Sequence, residues 1–419
     1  MNQRKVVVTG IGTVTPLGKN VKDTWENILK SKSGISVIPE FSQKDLPCKI
    51  AGQIKLGKAE NELDISKYVT PSLKLKISKF IEYGLVAAHE AIEDSNILHD
   101  ITQEEKENIG VYLGSGIGEL ANIQKESINI HSKKRVNTFF IPSTLVNLLA
   151  GNVSIKYGFC GPNLSIATAC STGAHCIGEA ARIIKTSDTN IMIAGSSESA
   201  IVEIGLRGFS ACFALTSKFN DNPQIASRPW DKNRSGFVMS EGGACVILEE
   251  YEHAKKRGAK IYAEIAGYGI SGDAYHITSP HPEGKGAKLC MKRALKDANI
   301  TPEDIDYINA HSTSTVLGDL NELLAVQTIF SAQKSILMSS TKSALGHMLG
   351  ASGSTELILC IMAMKENICP PTINLDDPIK ECKINLIPNT PIEKNLKYVM
   401  TNSFGFGGTN ASLIIKKQT

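Results

Sequence analysis

Four stretches of the chain carry side chains suited to acyl-transfer chemistry. The first is Asn163 to Gly178, NLSIATACSTGAHCIG. Gly161-Pro162 marks a turn, an apolar run follows, and Ala174, Ile177, Ala180, Ala181 and Ile184 recur at helical spacing. Cys170 therefore falls at the bend between a buried strand and a helix N-terminus. Free backbone N–H groups and the positive end of the helix dipole meet at such a bend. Both favour the nucleophilic thiolate, so a lowered thiol pKa is expected. The bend alone does not decide against a buried structural cysteine. The other three stretches bear on that choice. AHSTSTVLGD holds His311, TKSALGHMLGASG holds Lys342 and His347, and GFGGTN spans Gly405 to Asn410. Two histidines beside a thiol offer proton transfer or hydrogen-bond donation. A glycine turn lets backbone N–H groups approach an acyl oxygen and stabilise charge on it, as the N–H of Cys170 would. Lys342 would orient or charge the pocket, with Glu322 and Glu356 as candidate partners. Thr278, Thr313 and Thr315 are loop hydroxyls suited to a polar, extended substrate arm.

These groups need elements to hold them, and the chain alternates strands with helices. Strands are expected at Lys5–Thr9, Ile109–Leu113, Asn190–Ala194 and Ala244–Leu248. After a charged connecting helix at Tyr251–Gly258, strands resume at Ile261–Tyr268, Asp306–Ala310, Ile336–Ser339, Val399–Ser403 and Ala411–Ile415. Helices are expected at Asp23–Lys30, Leu73–Ser95, Gly286–Asn299, Leu317–Phe330 and Gly353–Lys365. Gly34 to Ser72 reads as a surface excursion. The first strand is expected to end in a Gly10-Ile11-Gly12 turn. That turn lacks the third glycine of a dinucleotide-binding loop, and Pro16 sits where its helix would begin. Alternating strands and helices imply a parallel sheet covered by helices, with ligand chemistry at the strand ends. Cys170, His311, Lys342, His347 and Phe404 to Gly408 all follow expected strands, so a single shared site is expected.

Composition narrows the remaining classes. The chain has 419 residues, 42% hydrophobic and 21% charged, which is ordinary for a large globular protein of two units. A net charge of +3 is too small and dispersed for a nucleic-acid binder. Ten cysteines without CxxC spacing argue for reduced thiols in a cytoplasmic protein rather than disulfides or zinc. The N-terminus enters a strand directly, with no secretory signal, and the longest apolar helix candidate, Leu357 to Met364, is far too short to span a membrane. No phosphate loop or metal-ligand spacing occurs, so neither a cofactor nor a metal is expected.

Taken together, the segments around Cys170, His311, His347 and Phe406 resemble the β-ketoacyl-acyl carrier protein synthases, most closely the synthase II type. The resemblance runs from VVVTGIGTVTPLG through NPQIASRPWDKNRSGFV, EEYEHAKKRGAKIYAE, DAYHITSP and PPTINLDDP to NSFGFGGTN. It implies an α/β thiolase-like fold of two similar βα halves in five αβαβα layers, divided here as 1–255 and 256–419, and a homodimer. It implies that Cys170 carries the growing acyl chain as a thioester. His311 and His347 would then stabilise the enolate formed as malonyl-acyl carrier protein loses carbon dioxide. Cys170 and Phe406 would supply the oxyanion hole, with Phe406 also a gate. Lys342 matches the family's active-site lysine, with Glu322 as its structural companion. Thr278, Thr313 and Thr315 match pantetheine-arm positions. Ile117 and Phe209 match the acyl tunnel, with Phe140 reaching from the partner subunit. Lys76, Lys134 and Arg135 match basic positions that meet the acidic carrier protein. The chain departs from the family at Ser312 and Val316 beside His311, at Ser78, and at Phe213 and Leu75, which stand at basic docking positions. A polyketide-type synthase and a non-catalytic partner subunit share the fold; the subunit would lack the reactive cysteine. A starter synthase pairing Cys with His and Asn would call on Asn402 or Asn410, and a Cys-His hydrolase would need water at the acyl-enzyme.

Overall fold

Strand residues sort by parity. In Ile191–Glu198, Met192 and Ala194 join one apolar cluster while Ile191 and Ile193 join another. In Thr409–Lys417, Leu413 and Ile415 face the first cluster and Ile414 a third. Successive side chains of a strand point to opposite faces, so these strands are buried on both sides. Two sheet layers with a shared core between them satisfy that pattern.

The computed structural model describes residues 4–99, 101–333 and 335–418. Its main strands are β1 (Val6–Val14), β2 (Gly110–Gly114), β3 (Asn163–Leu164), β4 (Ile191–Glu198) and β5 (Gly242–Glu250), then β6 (Ala263–Gly272), β7 (Tyr307–Asn309), β8 (Leu337–Ser339), β9 (Tyr398–Gly405) and β10 (Thr409–Lys417). They pair in the order β3-β2-β4-β5-β1-β6-β10-β9-β7-β8. The second five repeat the first: third, second, fourth, fifth, first. The two sets meet where Val7 and Val8 pair with Glu264 and Ala263. In each set the outer pairings are parallel and the two next to the join antiparallel. The sheet is therefore mixed, which corrects the expectation of a parallel one. β10 follows β9 through the short turn Phe406–Gly408, whereas residues 199–241, with the helix Glu203–Ala211 among them, join β4 to β5.

Helices α1 (Lys79–Ser95) and α2 (Leu148–Tyr157) cover one outer face. Helices α4 (Lys285–Ala298) and α5 (Val316–Ile329) cover the other. Between the sheets lie α3 (Thr172–Lys185) and α6 (Ser352–Glu366). The result is five layers. Leu357 to Met364 of α6 are buried on every side, as a helix apolar all round must be.

The two central helices cross at their first turns, and glycine makes that possible. A Cβ on Gly173 would lie 2.6 Å from Ser354 N, and one on Gly353 would lie 2.8 Å from Ala174 N. Ser196 and Ser354 join hydroxyls at 2.7 Å beside the crossing. No side chain fits between these backbones.

Four local expectations change. β1 runs straight through Gly10 and Gly12; a Cβ at either would lie 2.2 Å from a carbonyl of α1, so these glycines serve close packing rather than a turn. The helix expected from Leu73 splits into Pro71–Lys74 and α1, because Ser78 is extended and its hydroxyl donates to Ser143 O at 2.7 Å. Ile35, Ile38, Ile50 and Ala51 are core residues, so the segment 34–72 is not merely a surface excursion. The strand before Cys170 is only Asn163–Leu164, and both residues are exposed; 165–168 is irregular.

Substituting Gly173→Ala should lower unfolding free energy by about 1–3 kcal/mol, the usual result of overpacking. Urea denaturation followed by circular dichroism measures it, and an unchanged midpoint would mean that the crossing tolerates a methyl group.

Candidate active site

Cys170 lies in a tight turn, Ala169–Ser171, that leads into α3. Ala169 adopts φ +50°, which a residue with a Cβ takes only when its surroundings demand it. The demands are visible. Thr172 Oγ1 donates to Ala169 O at 2.8 Å, and Thr168 N–H donates to Thr172 Oγ1 at 2.9 Å. From the other half, the Ser171 hydroxyl reaches the carbonyls of Ser403 (3.0 Å) and Thr409 (2.7 Å), and Thr409 Oγ1 donates to Thr168 O at 3.0 Å. The nucleophile turn is thus held by the ends of β9 and β10.

His347 Nε2 lies 3.0 Å from Cys170 Sγ, and its Nδ1 lies 3.0 Å from Ser352 Oγ at the start of α6. Its backbone is pinned in turn: His347 N–H donates to Val238 O at 2.8 Å and Ser240 N–H donates to His347 O at 2.9 Å. The Phe237 ring meets the imidazole edge-on at 5.2 Å. His311 follows β7, its ring 5.4 Å from that of His347 and nearly perpendicular. Glu322 of α5 holds that turn by accepting from His311 N–H (3.0 Å), Ser312 N–H (2.7 Å) and Ser312 Oγ (2.8 Å). Glu322 does not pair with Lys342, contrary to one candidate role; it accepts three hydrogen bonds from the His311 turn and one from the Asn402 amide.

Lys342 is 2% exposed and forms an ion pair with Glu356, as expected. Burial pushes the Glu356 carboxyl up to about 7, while the Lys342 charge pulls it down. Burial, reinforced by the nearby Lys342 charge, holds both imidazoles well below the usual histidine range, so both rings are neutral. The thiol departs from the expectation of a lowered pKa. Burial pushes Cys170 up to about 12, outweighing the pull of Lys342 and of the backbone N–H groups of Phe406 and Cys170; the Glu198 carboxylate adds to the rise. The helix end is present, but a dry site penalises an anion more than that end favours it.

A cavity of about 380 Å³ opens onto these groups. Its wall includes Cys170, His311, His347, Phe209 and Phe406, and Thr278, Thr313 and Thr315 line it as well. Lys342 lies behind the wall. Ile117, like Phe209, packs against an apolar cluster, but it does not line the cavity. Phe140 starts a short helix away from it. Lys76, Lys134 and Arg135 are exposed surface residues, with Lys76 Nζ 5.5 Å from the Phe139 ring. Asn402 serves Glu322 at 3.2 Å, and the Asn410 amide serves Asp273 at 2.9 Å, so His347 is the partner of the thiol.

The whole chain matches known proteins. Residues 3–254 match the N-terminal domain of beta-ketoacyl synthases and residues 262–376 the C-terminal domain. The chain belongs to the β-ketoacyl synthase family. A 3-oxoacyl-[acyl-carrier-protein] synthase 2 of Rhizobium meliloti (strain 1021) is 48% identical, with 99% of each chain covered. The protein of the same description from Vibrio harveyi is 46% identical over 100% of this chain and 99% of its own. Among solved structures, a type II polyketide acyl-carrier protein in complex with its ketosynthase superposes with TM-score 0.89 at 30% identity, covering all of both chains. The fold is thiolase-like, and the chemistry of the family is that of a condensing acyltransferase.

Several residues of this synthase site escaped the sequence reading. Glu198 ends the buried strand β4 and gathers Ser115 Oγ (2.6 Å) and the N–H groups of Gly116 (2.9 Å), Ile117 (3.3 Å) and Gly350 (3.0 Å). A lone carboxylate closing a buried strand was its signal. Ser352, the hydroxyl on His347, stood unremarked within GASG. His175, one turn into α3, meets Thr168 Oγ1 at 2.7 Å and also bonds the Asn410 backbone, so it ties the nucleophile turn to β10.

Two outcomes follow from the electrostatics. Only the thiolate alkylates, and its fraction grows tenfold per pH unit below the pKa. Iodoacetamide labelling of Cys170 should therefore rise about tenfold per unit from about pH 7 to about pH 10 without levelling. A plateau near neutrality, read by mass spectrometry of the Cys170 peptide, would mean a depressed pKa. Glu356→Leu strands a buried ammonium and should reduce stability by about 3–5 kcal/mol in urea, most of it regained by adding Lys342→Met. Equal losses in the single and double variants would refute that assignment.

Proposed function

We propose that this chain is a synthase II type enzyme that extends fatty acyl chains by two carbons. The observation that carries the reading is the Cys170–His347–His311 set, joined across the two halves at the wall of one cavity. Identity favours fatty acid over polyketide synthesis: 46–48% to curated synthase 2 proteins, against 30% to the polyketide complex. A non-catalytic partner subunit has no use for a thiol set against a histidine at 3.0 Å.

In the first half-reaction Cys170 Sγ attacks the thioester carbonyl of acyl-acyl carrier protein. The Sγ–C bond forms and the bond to the pantetheine sulfur breaks. Because the resting thiol is neutral, its proton must leave as the bond forms. His347 Nε2, at 3.0 Å, is the group that passes it to the departing sulfur, so acylation is proton-neutral. Ser352 Oγ can donate to or accept from Nδ1, so it supports either tautomer of the ring. The N–H groups of Cys170 and Phe406, already aimed at Sγ, bind the oxyanion.

In the second half-reaction the malonyl thioester carbonyl lies against His311 and His347. Two neutral rings donate N–H without adding a net charge that would hold the carboxylate back. The bond to carbon dioxide breaks, its electrons form the enolate, and the enolate carbon attacks the acyl-Cys170 carbonyl. The Sγ–acyl bond breaks as the 3-oxoacyl chain leaves on the carrier, and the released sulfur takes a proton from solvent by way of His347, so this half-reaction consumes one proton and restores the thiol. Lys342, kept behind the wall by Glu356, biases the field toward anions without reacting. Thr278, Thr313 and Thr315 bind the pantetheine arm, and Ile117 and Phe209 receive the acyl chain with Phe406 as gate. Lys76, Lys134 and Arg135 meet the acidic carrier. The two units are 1–255 and 256–419, the enzyme is a homodimer in which Phe140 reaches its partner's tunnel, and it works in the cytoplasm. All ten cysteines being free thiols supports that compartment, and among the described residues no helix is long and apolar enough to cross a membrane.

Incubation with acyl-acyl carrier protein should give an acyl adduct on Cys170 by mass spectrometry. Cys170→Ala should abolish both the adduct and condensation, while Cys170→Gln should retain malonyl decarboxylation, since His311 and His347 remain. An adduct on another cysteine would sink the mechanism. Fatty acid released without any malonyl donor would make the protein a hydrolase.

A further inference from the structure

The turn after helix Glu203–Ala211 presents a large apolar side chain to water. Phe213 is 93% exposed and adopts φ +54°, a left-handed conformation costly for a bulky residue. Hydrogen bonds impose it. Phe213 N–H donates to Ser210 O at 2.9 Å, and Phe237 N–H donates to Ala214 O at 2.9 Å. One residue earlier on the same segment, Gly236 N–H donates to Ser314 O at 3.0 Å. Arg234 completes the link, donating to Thr315 O at 3.2 Å and Val316 O at 2.7 Å. Segment 234–237 thus holds the Phe213 turn on one side and the first turn of α5 on the other.

That first turn carries Val316 and Leu317, 55% and 65% exposed. All three apolar residues lie on the wall of the Cys170 cavity, so exposure there makes them its rim. Isolated surface apolar residues need no explanation, but three on one rim, one of them in strained backbone, do. Among the described residues no lysine or arginine lines this cavity.

We propose that Phe213, Val316 and Leu317 form an apolar collar that docks an apolar patch of the acyl carrier protein beside its pantetheine attachment. The inference rests on the reading of the site given above, in which the carrier delivers its arm through this opening. A carrier whose arm reaches Cys170 must press its surface against the rim. An apolar rim rewards an apolar surface there, and that contact is not screened by salt. The exposed basic residues steer the carrier from a distance; the collar sets its final seat.

The test compares two substrates, octanoyl-acyl carrier protein from the same organism and octanoyl-pantetheine thioester, which has no protein surface. For Phe213→Ser combined with Leu317→Ser, KM for the carrier substrate should rise about tenfold, the scale of losing one buried apolar side chain. That difference should persist when salt is raised, and kinetics with the thioester should not change. An unchanged carrier KM overturns the collar. So does an equal loss on both substrates, which would make these residues tunnel wall. A shift from dimer to monomer in sedimentation would also overturn it, because the rim would then be covered by a second copy. If the unaltered enzyme accepts no octanoyl group on Cys170 from either substrate, the site reading itself fails. That result is separate from any effect of the collar variants.

Discussion

The crossing of the two central helices is the contact on which this protein depends. α3 begins at the nucleophile turn and α6 begins at the serine that supports His347. Gly173 and Gly353 let their first turns meet backbone to backbone. A larger residue at either position would separate the helix ends by the width of a methyl group. A hydrogen bond of 3.0 Å between Sγ and Nε2 has no such slack. Each half of the chain brings one side of the reaction, and the crossing sets the distance between them. Ser171, bonded to carbonyls of β9 and β10, fixes the orientation as well.

Around that contact the protein has excluded water, so burial dominates the electrostatics, and one buried cation adds its pull to every group nearby. Lys342 pulls down on Cys170, on both histidines and on Glu356 at once. For the histidines burial acts in the same direction, and they are firmly neutral. For the thiol burial opposes the cation and wins. A neutral resting thiol beside a neutral imidazole is protected from adventitious oxidation and alkylation. It becomes a nucleophile only when a thioester arrives and the proton has somewhere to go. Charge appears during the reaction, where the N–H groups of Cys170 and Phe406 are waiting, rather than before it.

Buried carboxylates do the quieter work of holding loops. Glu322 fixes the His311 turn, and Glu198 joins the 115–117 turn to Gly350 just before α6. Each accepts several N–H bonds, which lets a carboxylate sit in the interior without a cationic partner of its own. The outside of the site is governed by different forces. Basic residues are scattered over the surface, while the rim of the cavity is apolar, so long-range attraction and close fit are assigned to separate residues.

Residue type and local spacing alone determined a good deal. The positions of most strands and helices were readable, because period-two and helical apolar patterns survive in any context. So were the chemical candidates: a thiol at a helix start, two histidines in small-residue turns and a glycine loop. The resemblance of long segments to β-ketoacyl synthases identified the family. Gly10 and Gly12 misled, because a glycine that admits a helix looks locally the same as one that makes a turn. Glu322 and Glu356 were both legible as candidate partners for Lys342, but only packing chose Glu356. Glu198 showed only as a carboxylate closing a buried strand, since its partners lie far away in the chain, and nothing in the pattern around Ser352 and His175 marked their contacts with His347 and Thr168. The thiol was misjudged for the same reason that hid the partners of Glu198. Sequence shows the helix end that favours a thiolate, a local feature. The loss of water that disfavours it is produced by layers folded from distant segments, and desolvation belongs to the assembled structure alone.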